Sequence, residues 1–322
     1  MNSAASGIAA YDGDRPVRAG TRGSPLALIQ TRLFLGRLAS GAGVAGREVV
    51  IATTGDAVQD RPLADIGGKG LFAKEIHEAL LDHRVDCAVH SLKDLETELP
   101  PGIVLGCTLP REDARDVLIL GDACDKPDPH DPLAALPHGA LIGTSSVRRQ
   151  AQLAHARPDL RIVSIRGNVQ TRLRKLRDGE CQASLLALAG LRRLNMDIPN
   201  AIILEPEIML PAAAQGIIGI TVRAGDAALR QHLAAIDDTA AHRVATAERA
   251  MLAVLDGSCR TPIGAYARLL ANDELILTGL VARGDGSFLL KRTLVGPAAD
   301  AEKIGQTLGA ALRADSPADL FA

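Results

Sequence analysis

The sequence predicts an α/β protein of two or three domains with mostly parallel sheets, closed by a smaller α+β domain. Strand and helix signals alternate through roughly the first 220 residues, the pattern of strands joined by helical crossovers. A chain of 322 residues is longer than one ordinary core can fill. From Asp237 onward the pattern changes to a helix, three strand-like runs and a final helix.

Taken in order, Val17–Thr21 is a short strand, and Ser24-Pro25 starts a helix with Ser as N-cap and Pro at its first position. That helix runs to about Ala39 and stops at the Gly41/Gly43 pair. Glu48–Thr53 is the next strand, before a polar loop that reaches Gly67-Gly68-Lys69-Gly70. This loop lacks the P-loop spacing and the Ser/Thr after its Lys, so it reads as a lid or linker rather than a phosphate cradle. A helix over Leu71–His83 leads to a buried strand, Asp86–His90, with His90 as a packing residue at its end. Ser91-Leu92-Lys93-Asp94 follows as the Ser-capped first turn of a helix.

Paired prolines, another strand and Arg111-Glu112-Asp113 between Pro100 and Arg115 mark a crossing into a second domain. Gly121–Gly139, with four prolines and no apolar period, is expected to be a surface excursion. The α/β pattern restarts at Leu141-Ile142-Gly143, with a helix from Ser146 to about Ala156, a strand over Leu160–Ile165 and a helix over Asn168–Arg177. Ala183–Ala189 is a further strand and Gly190–Leu194 a turn or helix. Glu205–Pro211 reads as the return crossover, and Ala212–Ile220 as a short helix running into a strand. The last domain has a helix over Ala241–Leu255, a loop over Asp256–Gly264, strands over Ala265–Leu270, Glu274–Val281 and Ser287–Val295, and a helix over Asp300–Arg313.

Composition narrows the function. Only seven of the 36 basic residues are Lys, and Arg is the side chain that grips carboxylate or phosphate in a planar, bidentate way. The segment Gly143–Arg177 holds nine Lys/Arg against one acid, Asp159, although the whole chain has a formal net charge of -2. The positive charge is local, and a ligand bearing carboxylates or phosphates is the natural inference. With 2% aromatics and near-neutral charge, the chain lacks the broad basic face and stacking rings that nucleic-acid binding uses. Five widely spaced cysteines without a CxxC predict neither a disulfide framework nor a zinc site, and no metal constellation stands out among the eight His. Residues 1–16 carry no secretory signal and are expected to form a disordered tail, and no stretch reaches the length of about 18 apolar residues that a membrane helix needs. These readings predict a soluble, cytoplasmic protein.

One device recurs: a strand, a Ser/Thr/Asn cap with an adjacent Arg, then a helix. It occurs at Arg22/Ser24, at Ser146/Arg148/Arg149 and at Arg166/Asn168/Arg172. In open α/β sheets such junctions gather at the carboxyl ends of strands, where helix N-termini offer free N–H groups to an anion. Asp94 reads in two ways, as a carboxylate offsetting a helix dipole or as one facing the arginines, able to stabilise a cation or shuttle a proton. Cys259, in a Gly/Ser/Pro-bounded loop beside Arg260, is the best placed of the five thiols to react.

The chain resembles the porphobilinogen deaminase (hydroxymethylbilane synthase) family. The motifs that carry the resemblance are Thr21-Arg22-Gly23-Ser24-Pro25-Leu26-Ala27, Gly67-Gly68-Lys69-Gly70-Leu71-Phe72, His90-Ser91-Leu92-Lys93-Asp94, Gly143-Thr144-Ser145-Ser146-Val147-Arg148-Arg149-Gln150, Arg166-Gly167-Asn168-Val169, Pro211–Gly216 and Glu248-Arg249-Ala250. The resemblance implies three α/β domains, the first two similar to type II periplasmic binding proteins with crossover connections and the third a small α+β domain. The boundaries it implies are 17–109 with 216–236 for a discontinuous first domain, 110–215 for the second and 237–322 for the third.

It also implies a transferase of tetrapyrrole and heme biosynthesis. A covalent dipyrromethane primer, joined by a thioether to Cys259, receives four porphobilinogen molecules head to tail with loss of ammonia, and hydrolysis frees hydroxymethylbilane for uroporphyrinogen-III synthase. By the same resemblance Asp94 is the catalytic carboxylate. Lys93, Arg148, Arg149, Ser145 and Gln215 hold the primer, while Arg22, Ser24, Arg166, Arg172, Arg193 and Phe72 meet substrate. Nothing in it demands more than a monomer, and no metal, membrane or nucleic acid is implied.

Three positions depart from the family pattern. Leu95-Glu96 stands where Val-Pro is common, Ser258-Cys259 where Gly-Cys is usual, and Gln182-Ala183-Ser184 where Asp-Ala-Ile is usual. A non-catalytic anion-binding module of the periplasmic-binding type is the alternative, against which the domain carrying Cys259 counts.

Overall fold

The computed structural model describes residues 11, 13, 15–57, 73–122, 124, 128, 131–255 and 261–321. Residues 1–10, 12 and 14 of the expected tail, the Gly67–Gly70 loop, Phe72 and Cys259 lie outside these residues, whereas the tail's Tyr11 is buried in the first unit's core and Arg15 is bonded to Asp86, so that end of the expected tail is packed. β1 (Val17–Thr21) leads into α1 (Pro25–Ala42), whose start is set by Ser24 Oγ accepting from the Ala27 N–H and by Pro25 in the first turn. The helix passes through Gly41 and ends only at Gly43, which takes φ +69° and donates its N–H to Ala39 O. A left-handed residue is what closes a helix in this way, and Gly reaches it without a Cβ clash.

β2 (Gly46–Val50), α2 (Thr54–Ala57), α3 (Lys74–Leu81), β3 (Cys87–Ser91), β4 (Ile103–Thr108) and the later β10 (Ile218–Arg223) complete a first five-stranded sheet in the order β2-β1-β3-β10-β4. β1 runs parallel to β2 and β3, and β10 is antiparallel to both of its neighbours. The second sheet uses β5 (Asp116–Leu120), β6 (Leu141–Gly143), β7 (Arg161–Val163), β8 (Ala183–Ala187) and β9 (Ala201–Leu204) in the order β7-β6-β8-β5-β9. It repeats the same plan, since β6 is parallel to β7 and β8, and β5 is antiparallel to both of its neighbours. In each sheet the fourth strand is the first one laid down after the chain crosses over, so each half is closed by a strand arriving from the other. This is the exchanged two-sheet arrangement that the resemblance implies.

α4 (Val147–Ala156), α5 (Val169–Arg177) and α6 (Leu188–Arg193) belong to the second sheet, and α7 (Ala227–Ala234) follows β10. α8 (Thr239–Val254) and α9 (Ala301–Ala314) flank an antiparallel third sheet of β11 (Ile263–Leu269), β12 (Glu274–Ala282) and β13 (Leu289–Pro297). The described residues form two compact units: up to 57 with 73–110 and 218–239, and 111–217 with 240–321. The third sheet groups with the second unit because Ala151 of α4 and Leu210 share an apolar cluster with Leu280 and Ala282 of β12. No helix among the described residues is long and apolar enough to cross a membrane.

Four expectations need correction. Asp94 is not in a Ser-capped α-helix but in a single 3-10 turn, Leu92–Asp94. Leu95 turns extended (φ −95°, ψ 136°), and the Ser91 hydroxyl makes no cap bond. Gly121–Gly139 is not all surface, because Leu133, Ala135 and Leu136 pack into the core under the second sheet. Ala212–Gly216 is no helix, since Ala214 and Gly216 both take positive φ (60° and 89°), which a right-handed helix cannot contain. Asp116–Leu120, a strand that the pattern did not single out, is buried at every position and sits beside β8 in the second sheet.

Local capping is visible at Asn168, whose Oδ1 accepts from the Thr171 N–H at 2.9 Å to start α5. Asn168→Ala is expected to cost about 1 kcal/mol, as loss of an N-cap does, and chemical denaturation would read this as a lowered midpoint with unchanged slope.

Candidate active site

The first unit builds a cleft at the carboxyl ends of two neighbouring parallel strands. β1 delivers Arg22 and Ser24 at its junction with α1, and β3 delivers Ser91 and then the turn carrying Asp94. Leu92, fully buried, anchors that turn. Gln30 of α1 and Ser91 exchange hydrogen bonds at 2.9 and 3.1 Å, tying the two junctions together. Arg22, Ser24, Gln30, His90, Ser91 and Asp94 line one cleft, so the structure brings together three of the expected residues: Arg22, Ser24 and Asp94. The Asp94 side chain is exposed to it, and Lys93 lies exposed beside it on the same turn.

In the second unit the arginine segment folds back on itself. Ser146 Oγ caps α4 by accepting from the Arg149 N–H at 3.4 Å, which places Arg148 and Arg149 in the first turn. Both side chains turn inward and are only 5% exposed. Arg148 Nη2 and Arg149 Nη2 each donate at 2.7 Å to Asp116, which is fully buried at the head of β5, and Gln215 Nε2 adds a bond to it at 2.9 Å. Burial pushes the Asp116 carboxyl up, but the two guanidiniums outweigh that and hold it well below the usual carboxylate range. Burial pulls the Arg148 guanidinium down. Arg148 Nη1 donates to Leu210 O and Arg149 Nη1 to Leu185 O, yet the Nε of each arginine is buried with no hydrogen-bond partner. Two buried cations thus share one protein carboxylate, and two N–H donors face no acceptor among the described residues.

Ser145 joins the ends of β6 and β7, its hydroxyl donating to Ile165 O at 2.7 Å and meeting Ser164 Oγ at 3.0 Å. Arg166 and Arg172 are half-buried at the next junction, where Arg172 Nε donates to Gly167 O at 2.9 Å. Arg193 reaches elsewhere: its Nη2 donates to Gly216 O at 2.6 Å, and burial pushes its guanidinium down to about 10. Gly216 is required there, because at φ +89° a Cβ would strike the Glu112 carbonyl. The second unit therefore gathers Arg148, Arg149 and Gln215 on one carboxylate and brings Arg193 to the turn that carries Gln215.

Sequence reasoning missed Asp116 and Arg111 and gave Glu248 no role. The signal for Asp116 is a lone acid heading the apolar run Val117–Leu120, and Glu248 belongs to a motif already noted. Glu248 is fully buried and accepts from Arg111 Nη1 at 2.6 Å, from Ala214 N at 2.5 Å and from Ala267 N at 2.6 Å, fixing the turn around Gln215 to β11. Not every arginine serves a ligand. Arg15 and Arg18 are spent on Asp86, before β3. The unusual Gln182 and Ser184 have structural partners, Leu141 N donating to Gln182 Oε1 and Ser184 Oγ to Gly143 O, both at 2.9 Å. Burial pushes the thiols of Cys87, Cys107 and Cys181 up, away from the reactive thiolate. Among the described residues no cluster of His, Cys, Asp or Glu could hold a metal ion.

Residues 17–231 match the family model described as porphobilinogen deaminase, dipyromethane cofactor binding domain, and residues 242–314 match the porphobilinogen deaminase C-terminal domain. A porphobilinogen deaminase of Paracoccus denitrificans (strain Pd 1222) is 51% identical over 313 residues, 96% of this chain and 97% of that one. A chloroplastic porphobilinogen deaminase of Oryza sativa subsp. japonica is 47% identical over 286 residues, covering 87% of this chain and 78% of that one. Among solved structures, a Salmonella typhimurium periplasmic binding protein with high arginine specificity gives a TM-score of 0.39 at 12% identity, over 69% of this chain and 92% of that one.

Proposed function

The chain belongs to the porphobilinogen deaminase family, and we propose on that footing that it joins four porphobilinogen molecules head to tail on a dipyrromethane primer, loses ammonia at each addition and releases hydroxymethylbilane by hydrolysis. The observation that carries this reading is the Arg148/Arg149 pair. Two cations share one buried carboxylate and keep two buried Nε–H groups without an acceptor among the described residues, which is what a group bearing acetate and propionate side chains requires. The residues present therefore fit the primer. Arg148, Arg149, Lys93, Ser145 and Gln215 would hold it, with a thioether to Cys259. When bound, it supplies the nucleophilic pyrrole carbon on which the product grows.

The remaining work falls to the chain's own residues. Arg22, Ser24, Arg166, Arg172 and Arg193 neutralise and orient the carboxylates of porphobilinogen, and Phe72 covers it. Asp94, facing the cleft beside Arg22, accepts a hydrogen bond from the pyrrole N–H, stabilises the positive charge that develops on the ring as the aminomethyl group departs as ammonia, and assists the proton transfer. In the same reading the protein is a cytoplasmic monomer that hands its product to uroporphyrinogen-III synthase.

Intact mass under denaturing conditions tests the primer. The purified protein is expected to be heavier than its sequence by a two-pyrrole unit, located on the peptide that contains Cys259. An unmodified mass in a fully active preparation would rule the covalent primer out.

A further inference from the structure

A buried amide stands in the Asp94 cleft and has no part in the reaction as described. Gln30 lies on the inward face of α1 with Thr31, Phe34 and Leu38, and is 3% exposed. An amide so placed costs free energy unless its polar ends are bonded. One group meets both ends: Gln30 Nε2 donates to Ser91 Oγ at 2.9 Å, and Ser91 Oγ donates to Gln30 Oε1 at 3.1 Å. The Ser91 hydroxyl is thereby turned sideways to α1, which is why it makes no cap bond on the turn that follows it. Both side chains line the cleft with Arg22, Ser24 and Asp94.

The place of this pair in the sheet gives it a task. β1 and β3 lie side by side, but the last pair in their register is Gly20 with Ala88, before either strand reaches its junction. Beyond that point one chain goes on to Arg22, Ser24 and α1, and the other to Ser91 and the Asp94 turn. The end of β3 is fixed to β10 on its other side: His90 Nε2 lies 2.9 Å from Thr221 Oγ1, and Leu92 packs on the bare Cα of Gly219, where a Cβ would come within 2.8 Å of Leu92 Cδ1. Those contacts hold the turn to β10 and leave its distance from α1 unset. The Gln30–Ser91 bonds span that gap.

We propose that Gln30 and Ser91 are positioning residues for the reaction: their paired hydrogen bonds continue the register of β1 and β3 past the end of the ladder, and so set the spacing between Arg22 and Ser24, which take the substrate's carboxylates, and Asp94, which acts on its ring. This rests on the roles proposed above for those three residues. A reacting group misplaced by about 1 Å costs on the order of 10² in rate, so a tether that holds the two junctions to less than that has a measurable effect.

The test is a double-mutant cycle on the full-length protein with its primer, with porphobilinogen as substrate. Gln30→Leu and Ser91→Ala each remove the pair of bonds from one side, and the double variant removes both partners. Each single variant is expected to lose kcat about ten-fold while KM stays within about two-fold, because the carboxylates still meet Arg22 and Ser24 as Asp94 shifts. The double variant is expected to be within about two-fold of the singles, since one interaction can be lost only once. Losses that multiply to about a hundred-fold in the double variant mean two residues acting separately, and overturn the proposal. Single variants with kcat within about two-fold of wild type overturn it as well, because a merely structural pair moves the urea midpoint and not kcat. If Gln30→Leu does not fold, Ser91→Ala breaks the same bonds, and its kcat and KM decide between the same two outcomes. Wild-type protein that carries the primer but does not consume porphobilinogen overturns the functional reading instead, and with it the roles this pair would serve.

Discussion

Asp94→Asn is expected to leave the fold and the bound primer intact and to lower kcat by a factor of about 10² to 10⁴, the range over which a positioned acid or base contributes. The substitution keeps the size, removes the charge and leaves one of the two acceptor oxygens, the other becoming an NH2 donor. Asp94 is exposed and sits in a 3-10 turn anchored by the buried Leu92, so the denaturation midpoint should not move. The structure also weakens the competing account of this residue. A helix-dipole role needs a helix, and the three-residue turn ended by extended Leu95 supplies almost none of that field. The readouts are steady-state kcat and KM for porphobilinogen, alongside intact mass to verify the primer. Because the charge is required only as the substrate's leaving group departs, KM should change far less than kcat. A variant that retained most of its kcat would reduce Asp94 to a charge on a turn.

What the sequence disclosed and what it hid follow from the range of the interactions. The limits of α1 and α5 were legible because Ser24, Pro25 and Asn168 act on backbone groups a few residues away. The clustering of arginines between Gly143 and Arg177 was legible for the same reason. Their partners were not. Asp116 lies 32 and 33 residues from Arg148 and Arg149 and 99 from Gln215, and no local pattern couples such positions. β10 escaped a full reading because it takes its place in a sheet built by strands more than 100 residues earlier in the chain. The turn over Ala212–Gly216 misled through its alanines, which favour a helix locally, while Glu248 and Arg111, held from afar, impose left-handed residues there.

The same long-range pairing makes Asp116 the residue whose loss should damage the fold most. Replacing Asp116 by Asn leaves two buried guanidiniums side by side with no counter-charge, and breaking a buried ion pair from one side costs about 3–5 kcal/mol. Urea denaturation at neutral pH should show this as a much lower midpoint. The pH dependence has a defined sign. The Asp116 carboxyl is depressed in the folded protein, so its contribution is fully present above the unfolded value of about 3.9, and it is lost as pH falls through the folded value. Asp116→Asn should therefore lose most of its stability near neutrality and differ progressively less from wild type as the pH drops into that acid range. A double variant separates charge from shape. Arg149→Met added to Asp116→Asn removes one of the stranded cations, and the pair of substitutions should cost less than Asp116→Asn alone, a coupling opposite to that of independent sites. It should not restore the covalent primer to the wild-type level, because Arg149 is then no longer available to the primer's carboxylates. If Asp116→Asn proved as stable as wild type at neutral pH, the buried charge pairing would have no energetic role, and the case for these arginines as a carboxylate site would lose its structural basis.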